Sequence, residues 1–322
     1  MRAVHLTGFG NPIDHLRFVE IPEPPEPRAG EVLVGVEFSP VNPNDLSVAR
    51  GTYAFRPSLP SVIGNEGVGH VLRVGPNVHT VRAGDRVLLP LSSFAWRERM
   101  VIPAHRLFAL PAHADPRQLA MLGINPPTAA LLLSEFVSLR PADWVVQNAA
   151  NSGVGRWVIA FAKVRGLRTV NIVRRIELVS ELTALGGDVT LVDSPDVVRE
   201  IKEAVGEDEV RLALDGVGGT ATGVLVAALT LYGTVAIYSA MSRAPIAASP
   251  LDVIFKSLSL RGFFMGQPEY ADEIQAATKE AAALIAEGEV HIPIAATYPL
   301  SAIQDAVAYA QRGGKVLLDV AA

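Results

Sequence analysis

The sequence contains no cysteine, and this absence removes several kinds of chemistry at once. Disulfide bonds, thiolate zinc sites and a cysteine nucleophile are all excluded. A chain without thiols fits a reducing compartment, and the N-terminus also lacks the apolar core of a signal peptide. We therefore expect a cytoplasmic protein.

Runs of like charge are also missing. The 28 Lys and Arg residues and the 33 Asp and Glu residues give a net charge of −5 and are spread along the chain. A nucleic-acid surface needs clustered Lys and Arg, so we expect no nucleic-acid partner. The one uncharged stretch of 27 residues, 216–242, contains several glycines and changes from helical to strand-like apolar spacing. It therefore predicts a buried helix and a buried strand, with no membrane span.

The hydrophobic pattern divides the chain into two parts. Residues 1–118 contain alternating apolar runs separated by Gly, Pro and Asn turns, which predicts an all-β region. Beyond them, buried strands alternate with helix-like segments, which predicts an α/β domain with a six-stranded, doubly wound parallel sheet over residues 119–266. These strands are expected near 143–148, 168–173, 188–192, 210–214, 234–238 and 258–263, followed by helices over 271–287 and 302–311 and a strand over 315–319.

A glycine-containing turn follows the first strand of the predicted parallel sheet. Residues 148–155 read Asn-Ala-Ala-Asn-Ser-Gly-Val-Gly and precede an amphipathic run. Gly153 and Gly155 allow the backbone to approach a pyrophosphate, and the helix N-terminus offers free N–H groups. Ala150 and Ser152 stand where the Gly-x-Gly-x-x-Gly pattern has its first two glycines. The turn therefore predicts a dinucleotide site, although a strict pattern search would miss it.

The next strand ends in two arginines, which bears on the choice of cofactor. Arg174 and Arg175 lie where an NAD-binding fold usually has an acidic residue that binds the ribose 2′-hydroxyl. Guanidinium groups instead bind the 2′-phosphate of NADP. The pair therefore predicts NADPH, with a solvated arginine pair at a strand end as the alternative.

The whole chain resembles the medium-chain dehydrogenase/reductase superfamily, in which a β-rich half precedes a Rossmann domain and a short C-terminal return. Within it, the chain resembles most the zinc-free 2-enoyl thioester reductases of the mitochondrial trans-2-enoyl-CoA reductase type. The similar segments are 123–128 (Gly-Ile-Asn-Pro-Pro-Thr), 147–155 and 260–263 (Leu-Arg-Gly-Phe). The resemblance implies a GroES-like catalytic domain of residues 1–118 and 267–322, and NADPH-dependent reduction of the C=C bond of trans-2-enoyl thioesters.

Zinc-dependent members of the same superfamily bind their catalytic metal through two cysteines and a histidine. The resemblance places these ligands at Asn42, at Asn65 and near Ile124, where neutral amides and an alkyl group cannot form a tetrahedral zinc site. We therefore expect no metal. Charge that develops during hydride transfer must then be stabilised by hydrogen-bond donors, which favours reduction of a C=C bond conjugated to a carbonyl.

The resemblance also assigns roles to individual residues. Tyr53, in a Gly-Thr-Tyr string, is the expected catalytic donor of a hydrogen bond to the thioester oxygen, and burial would keep its phenol neutral. The alternative is a packed aromatic ring with its hydroxyl at the surface. The cofactor-binding residues that the resemblance implies are Asn125, Asn151, Ser152, Gly153, Val154, Gly155, Tyr238, Ser239, Ala240, Met241, the backbone of Phe263, Phe264 and Met265, and Lys315. Phe263–Met265 as plain core and Lys315 as a solvated strand end are the alternatives.

Partners are less constrained by the sequence. Four arginines near the expected substrate side, Arg50, Arg56, Arg97 and Arg99, suggest contact with coenzyme A phosphates or with an acyl carrier protein, unless they are ordinary surface charges. The family is commonly dimeric through the edge strand 258–263, so we expect a homodimer. Two alternative functions stay open: an NADPH:quinone oxidoreductase of the same superfamily, and a catalytically silent NADPH-binding sensor.

Overall fold

Two compact units make up the computed structural model, which describes residues 1–322. The first unit contains Met1–Ile124 and Thr278–Ala322, and the second contains Asn125–Ala277. The sequence had placed the two boundaries at 118/119 and 266/267, so both differ from the structure by several residues. The first unit extends to Ile124 because the Ile124 amide donates to the buried Glu66 carboxylate. At the second boundary, one helix, Ala271–Ala286, runs through the dividing point without a break.

The first unit is built mainly from β-structure. A seven-stranded sheet follows the order 294–299, 315–319, 31–41, 68–74, 86–88 and 108–109, and strand 99–103 pairs with strand 31–41 as well. A three-stranded sheet has the order 16–20, 2–6 and 61–62. The strands are Arg2–Leu6, Leu16–Glu20, Glu31–Val41, Ser61–Val62, Val68–Val74, Arg86–Leu88, Arg99–Pro103, Phe108–Ala109, Ile294–Pro299 and Lys315–Asp319. The long strand Glu31–Val41 carries most of the pairing, so it is the centre of this unit.

The prediction that residues 1–118 are all-β is corrected by a helix that the sequence reading missed. This helix, Pro43–Arg50, begins with a capping box in which the Asp45 carboxylate accepts from the Asn42 amide at 2.8 Å. It ends at Gly51, whose φ of 72° suits a glycine. The remaining helices of this unit are the short Pro12–His15 and Pro116–Leu119 and the longer Ile303–Arg312.

The second unit has the predicted doubly wound α/β sheet. Its six parallel strands follow the order 189–192, 168–173, 144–147, 210–215, 234–237 and 259–262, as a Rossmann topology requires. Strands and helices alternate as Asn125–Ser134, Trp144–Gln147, Gly153–Val164, Arg168–Val173, Leu178–Leu185, Val189–Val192, Val197–Val205, Val210–Asp215, Thr220–Ala228, Thr234–Ile237, Pro250–Phe255 and Ser259–Gly262. The fold class predicted from the sequence is confirmed.

The uncharged stretch 216–242 folds as predicted into a helix, Thr220–Ala228, and a strand, Thr234–Ile237. Both pack into the apolar core of the second unit through Leu225, Val226 and Val235, which are fully buried. No helix of the structure has the length and apolar character needed to cross a membrane.

Candidate active site

The glycine turn of the second unit has the geometry of an anion site. Ser152 is the N-cap of the helix Gly153–Val164, and its hydroxyl accepts a hydrogen bond from the Gly155 amide at 3.1 Å. The amides of Gly153 and Val154 make no hydrogen bond within the chain. Free amides at a helix N-terminus, combined with the helix dipole, favour a bound phosphate. The residues present therefore fit the pyrophosphate of a dinucleotide.

Close packing against backbone requires Gly155, and close packing against a side chain favours Gly153. A Cβ atom on Gly155 would lie 2.5 Å from the Ala150 carbonyl oxygen, and one on Gly153 would lie 2.7 Å from the Asn125 side-chain nitrogen. Asn125 itself is buried at the start of the helix Asn125–Ser134, and its amide lies directly against the turn. Asn125 and the turn, which the sequence predicts as separate cofactor contacts, are therefore in direct contact with each other.

Arg174 and Arg175 follow the strand Arg168–Val173 and are exposed. Neither guanidinium has an ion-pair or hydrogen-bond partner in the chain, so both are available to an external anion. The next residue, Ile176, is 65% exposed and adds no further charge. The arrangement fits a 2′-phosphate bound by two guanidinium groups.

Residues 238–241 lie at the carboxyl end of the strand Thr234–Ile237, the edge at which open α/β sheets bind ligands. The Tyr238 hydroxyl is buried without a well-formed hydrogen bond, and burial raises the pKa of this phenol to about 12. Gly216 leaves room for it, since a Cβ there would lie 2.6 Å from the hydroxyl oxygen. Ser239 is partly buried, whereas Ala240 and Met241 are exposed.

A buried network beside this edge was not identified from the sequence. The Asp215 carboxylate accepts hydrogen bonds from the Asn148 side chain at 2.7 Å, from the Thr222 hydroxyl at 2.5 Å and from the amides of Val217 and Gly218. Asn148 in turn accepts from the Gly216 amide at 2.8 Å. This network fixes the loop after the strand Val210–Asp215, so it shapes the ligand edge of the sheet.

In the segment 263–265, Phe263 and Met265 are partly buried and Phe264 is exposed. Phe263 packs its ring against Phe136 and Tyr270, and its amide donates to the Ile237 carbonyl at 2.9 Å. Phe264 is 51% exposed. Met265 accepts a contact from the Thr128 hydroxyl at 3.4 Å. The side chain of Phe263 is therefore half-buried among other aromatic rings, and both interpretations of 263–265, as cofactor contacts and as plain core, stay predictions.

In the first unit, the positions of the absent zinc ligands hold a closed polar network. The Asn42 side chain donates to one Glu66 oxygen at 2.7 Å, and the Ile124 amide donates to the other at 3.0 Å. The Lys315 ammonium donates to the Asn42 carbonyl oxygen at 2.7 Å. Asn42 therefore uses both ends of its amide, which leaves it unsuited to a metal.

Asn65, at another zinc-ligand position, is bound by Asp45. One Asp45 oxygen accepts from the Asn65 backbone amide at 2.9 Å and from its side chain at 2.8 Å. Burial raises the pKa of Asp45 to about 7, although hydrogen bonds from Asn42 and Asn65 oppose the shift. Burial likewise raises the pKa of Glu66 and lowers the pKa of Lys315, and the attraction between these two opposes both shifts. The network is a costly group of buried ionisable side chains that is held by mutual hydrogen bonds.

Tyr53, the predicted catalytic phenol, lies three residues after the helix Pro43–Arg50, which carries Asp45 of the network. Its amide donates to the Ser47 carbonyl at 3.2 Å, and its ring packs against the core of the first unit. Burial raises the pKa of Tyr53, partly opposed by the Asn44 side chain and supported by the Asp45 charge. The phenol is therefore a neutral hydrogen-bond donor at physiological pH.

The structure gives Lys315 a position that the sequence did not predict. It was expected to reach the cofactor or to be a solvated strand end, but its ammonium is bonded to Asn42. Asp45 and Glu66 were also missed as members of the site. The signals available were the Asn-Pro-Asn-Asp capping box and the Gly-Asn-Glu string, both of which had been read only for lost zinc ligands.

Two family models match the chain. The model described as alcohol dehydrogenase GroES-like domain matches residues 28–112, and the one described as zinc-binding dehydrogenase matches residues 153–287. Among curated proteins, the mitochondrial enoyl-[acyl-carrier-protein] reductase of Homo sapiens is 36% identical over 292 residues, which cover 87% of this chain and 78% of the human protein. That of Caenorhabditis elegans is 36% identical over 271 residues, which cover 83% and 78% of the two chains.

Solved structures show the same likeness. The Etr1p complex with NADP and crotonyl-CoA has a TM-score of 0.90 at 26% identity and covers 99% of each chain. The mitochondrial 2-enoyl thioester reductase Etr1p/Etr2p heterodimer from Candida tropicalis has a TM-score of 0.89 at 26% identity, with the same coverage. The Escherichia coli quinone oxidoreductase complexed with NADPH has a TM-score of 0.86 at 26% identity and covers 99% of this chain and 100% of that one.

These comparisons correct one expectation. The cytoplasmic location predicted from the sequence was wrong, because these curated relatives are named as mitochondrial enzymes. Lack of cysteine indicates only a reducing compartment, and several compartments meet that condition.

The comparisons confirm the predicted fold class and the NADPH cofactor. By sequence identity and by fold, the chain belongs to the zinc-free 2-enoyl thioester reductases of the medium-chain dehydrogenase/reductase superfamily, which are NADPH-dependent oxidoreductases acting on CH–CH groups.

Proposed function

We propose that this protein reduces the C=C bond of trans-2-enoyl thioesters with NADPH, and that Tyr53 is its catalytic residue. One observation carries the proposal: Asn42, at one of the zinc-ligand positions, is hydrogen-bonded to Glu66 and Lys315, and a neutral phenol, Tyr53, follows three residues after the helix Pro43–Arg50. Such an arrangement offers a hydrogen bond, not a metal, to the oxygen that gains charge.

The chemistry follows from the direction in which charge moves. NADPH, when bound, supplies a hydride to the β-carbon of the enoyl thioester. Negative charge then collects on the thioester oxygen, and the Tyr53 hydroxyl donates a hydrogen bond to that oxygen. Because burial raises the pKa of Tyr53, the phenol keeps its proton and remains a donor as the charge develops. The α-carbon then takes a proton from solvent water, which becomes hydroxide that the buffer neutralises, and this completes the saturated product.

The second unit supplies the proposed cofactor site. The free amides of Gly153 and Val154 bind the pyrophosphate, and Arg174 and Arg175 bind the 2′-phosphate. The further proposed contacts are Asn125, Asn151, Ser152, Gly155, Tyr238, Ser239, Ala240, Met241 and the backbone of Phe263, Phe264 and Met265. Lys315 is the proposed contact with the weakest support, since its ammonium is already bonded to Asn42.

The test is a comparison of acceptors with the purified protein. NADPH consumption is measured with crotonyl-CoA, with a longer trans-2-enoyl-CoA and with a simple quinone, and the thioester product is identified. We expect turnover of both thioesters at rates well above that of the quinone. The likeness to the Escherichia coli quinone oxidoreductase favours a quinone as the second candidate acceptor. Faster quinone turnover would select that function, and NADPH binding without turnover of any acceptor would select the sensor alternative.

An acyl carrier protein is a proposed partner, and the structure distinguishes among three of the candidate arginines: Arg99, Arg97 and Arg56. Arg99 is paired with Glu23 at 3.2 Å, so its charge is already balanced. Burial lowers the pKa of Arg97, which donates only to the Ser93 carbonyl at 3.2 Å. Arg56 is exposed, and its guanidinium lies over the Phe9 ring at 5.8 Å without an acidic partner. Of these three, Arg56 is best placed to meet an acidic carrier.

Charge reversal tests this partner. Arg56→Glu is expected to raise KM for an enoyl thioester carried on acyl carrier protein by about tenfold, because charges at the edge of an interface mainly change the rate at which the two proteins associate. KM for crotonyl-CoA should change little. Arg82→Glu, at another exposed position of the same unit, is the control. Equal KM values for the carrier-bound substrate in wild type and Arg56→Glu would remove the proposal for Arg56.

We also propose a homodimer formed through the Rossmann sheet. Its outer strand, Ser259–Gly262, has all four residues exposed, and an exposed strand edge offers unpaired backbone groups to a second copy. The preceding helix adds three exposed apolar side chains: Leu251 at 63%, Ile254 at 64% and Phe255 at 75% exposure. Isolated exposed apolar residues are common, but a group of them beside a free strand edge favours an interface.

A further inference from the structure

Arg156 is a buried arginine in the first turn of the helix Gly153–Val164, immediately after the glycine turn. It is 7% exposed. Its Nε donates to the Asn151 carbonyl oxygen at 3.1 Å, and its terminal nitrogen lies 2.9 Å from a Glu181 oxygen. The guanidinium therefore joins two segments that are distant in sequence.

The placement of this charge is unfavourable unless its partners hold it. A cation near a helix N-terminus opposes the positive end of the helix dipole. A buried guanidinium also loses hydration, which a single carboxylate restores only with good geometry and further hydrogen bonds. Here the carboxylate of Glu181 is itself 38% exposed and thus still partly hydrated. The Arg156 side chain is more costly than an apolar residue would be at this position, so packing alone does not account for it.

The two segments joined by Arg156 are the two anion-binding parts of the proposed NADPH site. Asn151 belongs to the glycine turn, and holding its carbonyl fixes the plane of the next peptide, whose Ser152 amide donates to the Ala149 carbonyl at 2.8 Å. Glu181 lies in the first turn of the helix Leu178–Leu185, directly after the loop that carries Arg174 and Arg175. Arg156 is therefore a bridge between the pyrophosphate turn and the arginine loop.

We propose that Arg156 is a positioning residue that sets the spacing between these two segments and thereby the preference for NADPH over NADH. The pyrophosphate and the 2′-phosphate are fixed parts of one ligand, so both are bound well only when the two protein segments have the matching separation. NADH uses the pyrophosphate turn without needing the arginine loop. A change in the separation of the two segments therefore weakens the binding of NADPH more than the binding of NADH. The inference rests on the proposed cofactor site and extends it to a residue whose observed partners are Asn151 and Glu181.

Binding measurements on the full-length protein test the bridge directly. Dissociation constants for NADPH, NADH and 2′,5′-ADP are measured for wild type, Arg156→Met and Glu181→Gln. For Arg156→Met we expect the dissociation constants of NADPH and 2′,5′-ADP to rise about tenfold. The dissociation constant of NADH should rise less than about threefold. The misplacement of one of two coupled binding segments is expected to change affinity by about this factor. Glu181→Gln, which leaves the buried arginine in place, is expected to shift the NADPH/NADH ratio in the same direction.

The bridge also predicts how the two changes combine. Because both act on one interaction, the double variant Arg156→Met/Glu181→Gln is expected to bind NADPH about as weakly as Arg156→Met alone. The matched control is the exposed pair Arg199 and Glu203, 2.7 Å apart on the helix Val197–Val205. Arg199→Met and Glu203→Gln are expected to leave all three dissociation constants unchanged.

The outcomes separate this inference from the proposed function. Equal weakening of NADPH and NADH in Arg156→Met, or an unchanged ratio in both bridge variants, would overturn the positioning role. Wild-type protein that failed to bind 2′,5′-ADP would instead overturn the NADPH site itself. If Arg156→Met does not fold, Glu181→Gln decides the matter, because an unchanged NADPH/NADH ratio there contradicts the bridge.

Discussion

Asp45 is a buried carboxylate that holds two parts of the first unit together through hydrogen bonds. Its two oxygens accept hydrogen bonds from the Asn42 amide and from the amide and side chain of Asn65. The same residue therefore caps the helix that precedes Tyr53 and binds the amide of Asn65, which lies where zinc-dependent members of the superfamily have a metal ligand. Asp45 was not singled out from the sequence, because an acidic residue in a turn-like string gives no sign that it will be buried.

The raised pKa of Asp45 predicts a definite dependence of stability on pH. Its pKa in the folded protein is about 7, above the ordinary value of 3.8, so folding favours the protonated form. This contribution is complete below the ordinary pKa and is lost as the pH rises through about 7. We expect the free energy of unfolding, measured with denaturant, to fall by on the order of 2 kcal/mol between about pH 5 and about pH 8 from this group.

A substitution isolates this effect. Asp45→Asn is expected to lower stability at about pH 5, because one acceptor of the capping box is lost, and to show a flatter pH profile than wild type. Asp193→Asn, at an exposed position, serves as the control and should keep the wild-type slope. A slope in Asp45→Asn as steep as that of wild type would show that Asp45 does not titrate in this range.

Among the elements, the parallel strands were predicted within a residue or two, whereas the helix Pro43–Arg50 was missed. The strands are short apolar runs bounded by turn residues, and the local pattern alone identifies them. The helix starts with Asn-Pro-Asn-Asp, which was considered only as the position of a lost zinc ligand, and proline and asparagine are residues that also favour turns. The capping box that makes this string a helix start depends on a side chain reaching three residues back. The strand-to-helix turn at 148–155 was predicted correctly because its glycines and flanking elements agree.

The N-cap of the helix Gly153–Val164 allows its structural and ligand roles to be separated. Ser152→Ala removes the hydroxyl that accepts from the Gly155 amide, so we expect a loss of about 1 kcal/mol in stability and weaker NADPH binding. Ser249→Ala removes the corresponding cap from the helix Pro250–Phe255, where the serine accepts from the Asp252 amide at 3.3 Å. This control should lose similar stability with unchanged NADPH affinity. Parallel loss of affinity in both variants would contradict a specific role for Ser152.

For the whole molecule, the sequence predicted two domains but not their boundaries. The boundary at Ile124 depends on a hydrogen bond to Glu66, which is distant in the sequence. A local sequence pattern does not predict such a contact. Arg156 was overlooked for the same reason: its partner Glu181 belongs to another helix. Long-range partners of buried charges are thus what the sequence alone did not provide.

The proposed homodimer is a property of the whole molecule and has a direct test. Phe255→Asp places a charge among the exposed apolar residues beside the free strand edge, so we expect the dimer to dissociate into monomers. The mass of each species is measured by sedimentation or by light scattering. Val164→Asp, which changes another exposed apolar residue of the same unit, should leave the dimer intact. A wild-type protein that is monomeric at micromolar concentration would remove the proposal.

The most direct test of the account is the turnover of crotonyl-CoA by Tyr53→Phe, with NADPH as reductant. Removal of the single hydroxyl is expected to lower kcat at least about tenfold, roughly the loss of one transition-state hydrogen bond, with NADPH affinity unchanged. Tyr309→Phe, a half-buried tyrosine of the helix Ile303–Arg312, should turn over crotonyl-CoA like wild type. A Tyr53→Phe protein that reduces crotonyl-CoA at the wild-type rate would contradict the claim that this phenol replaces the metal.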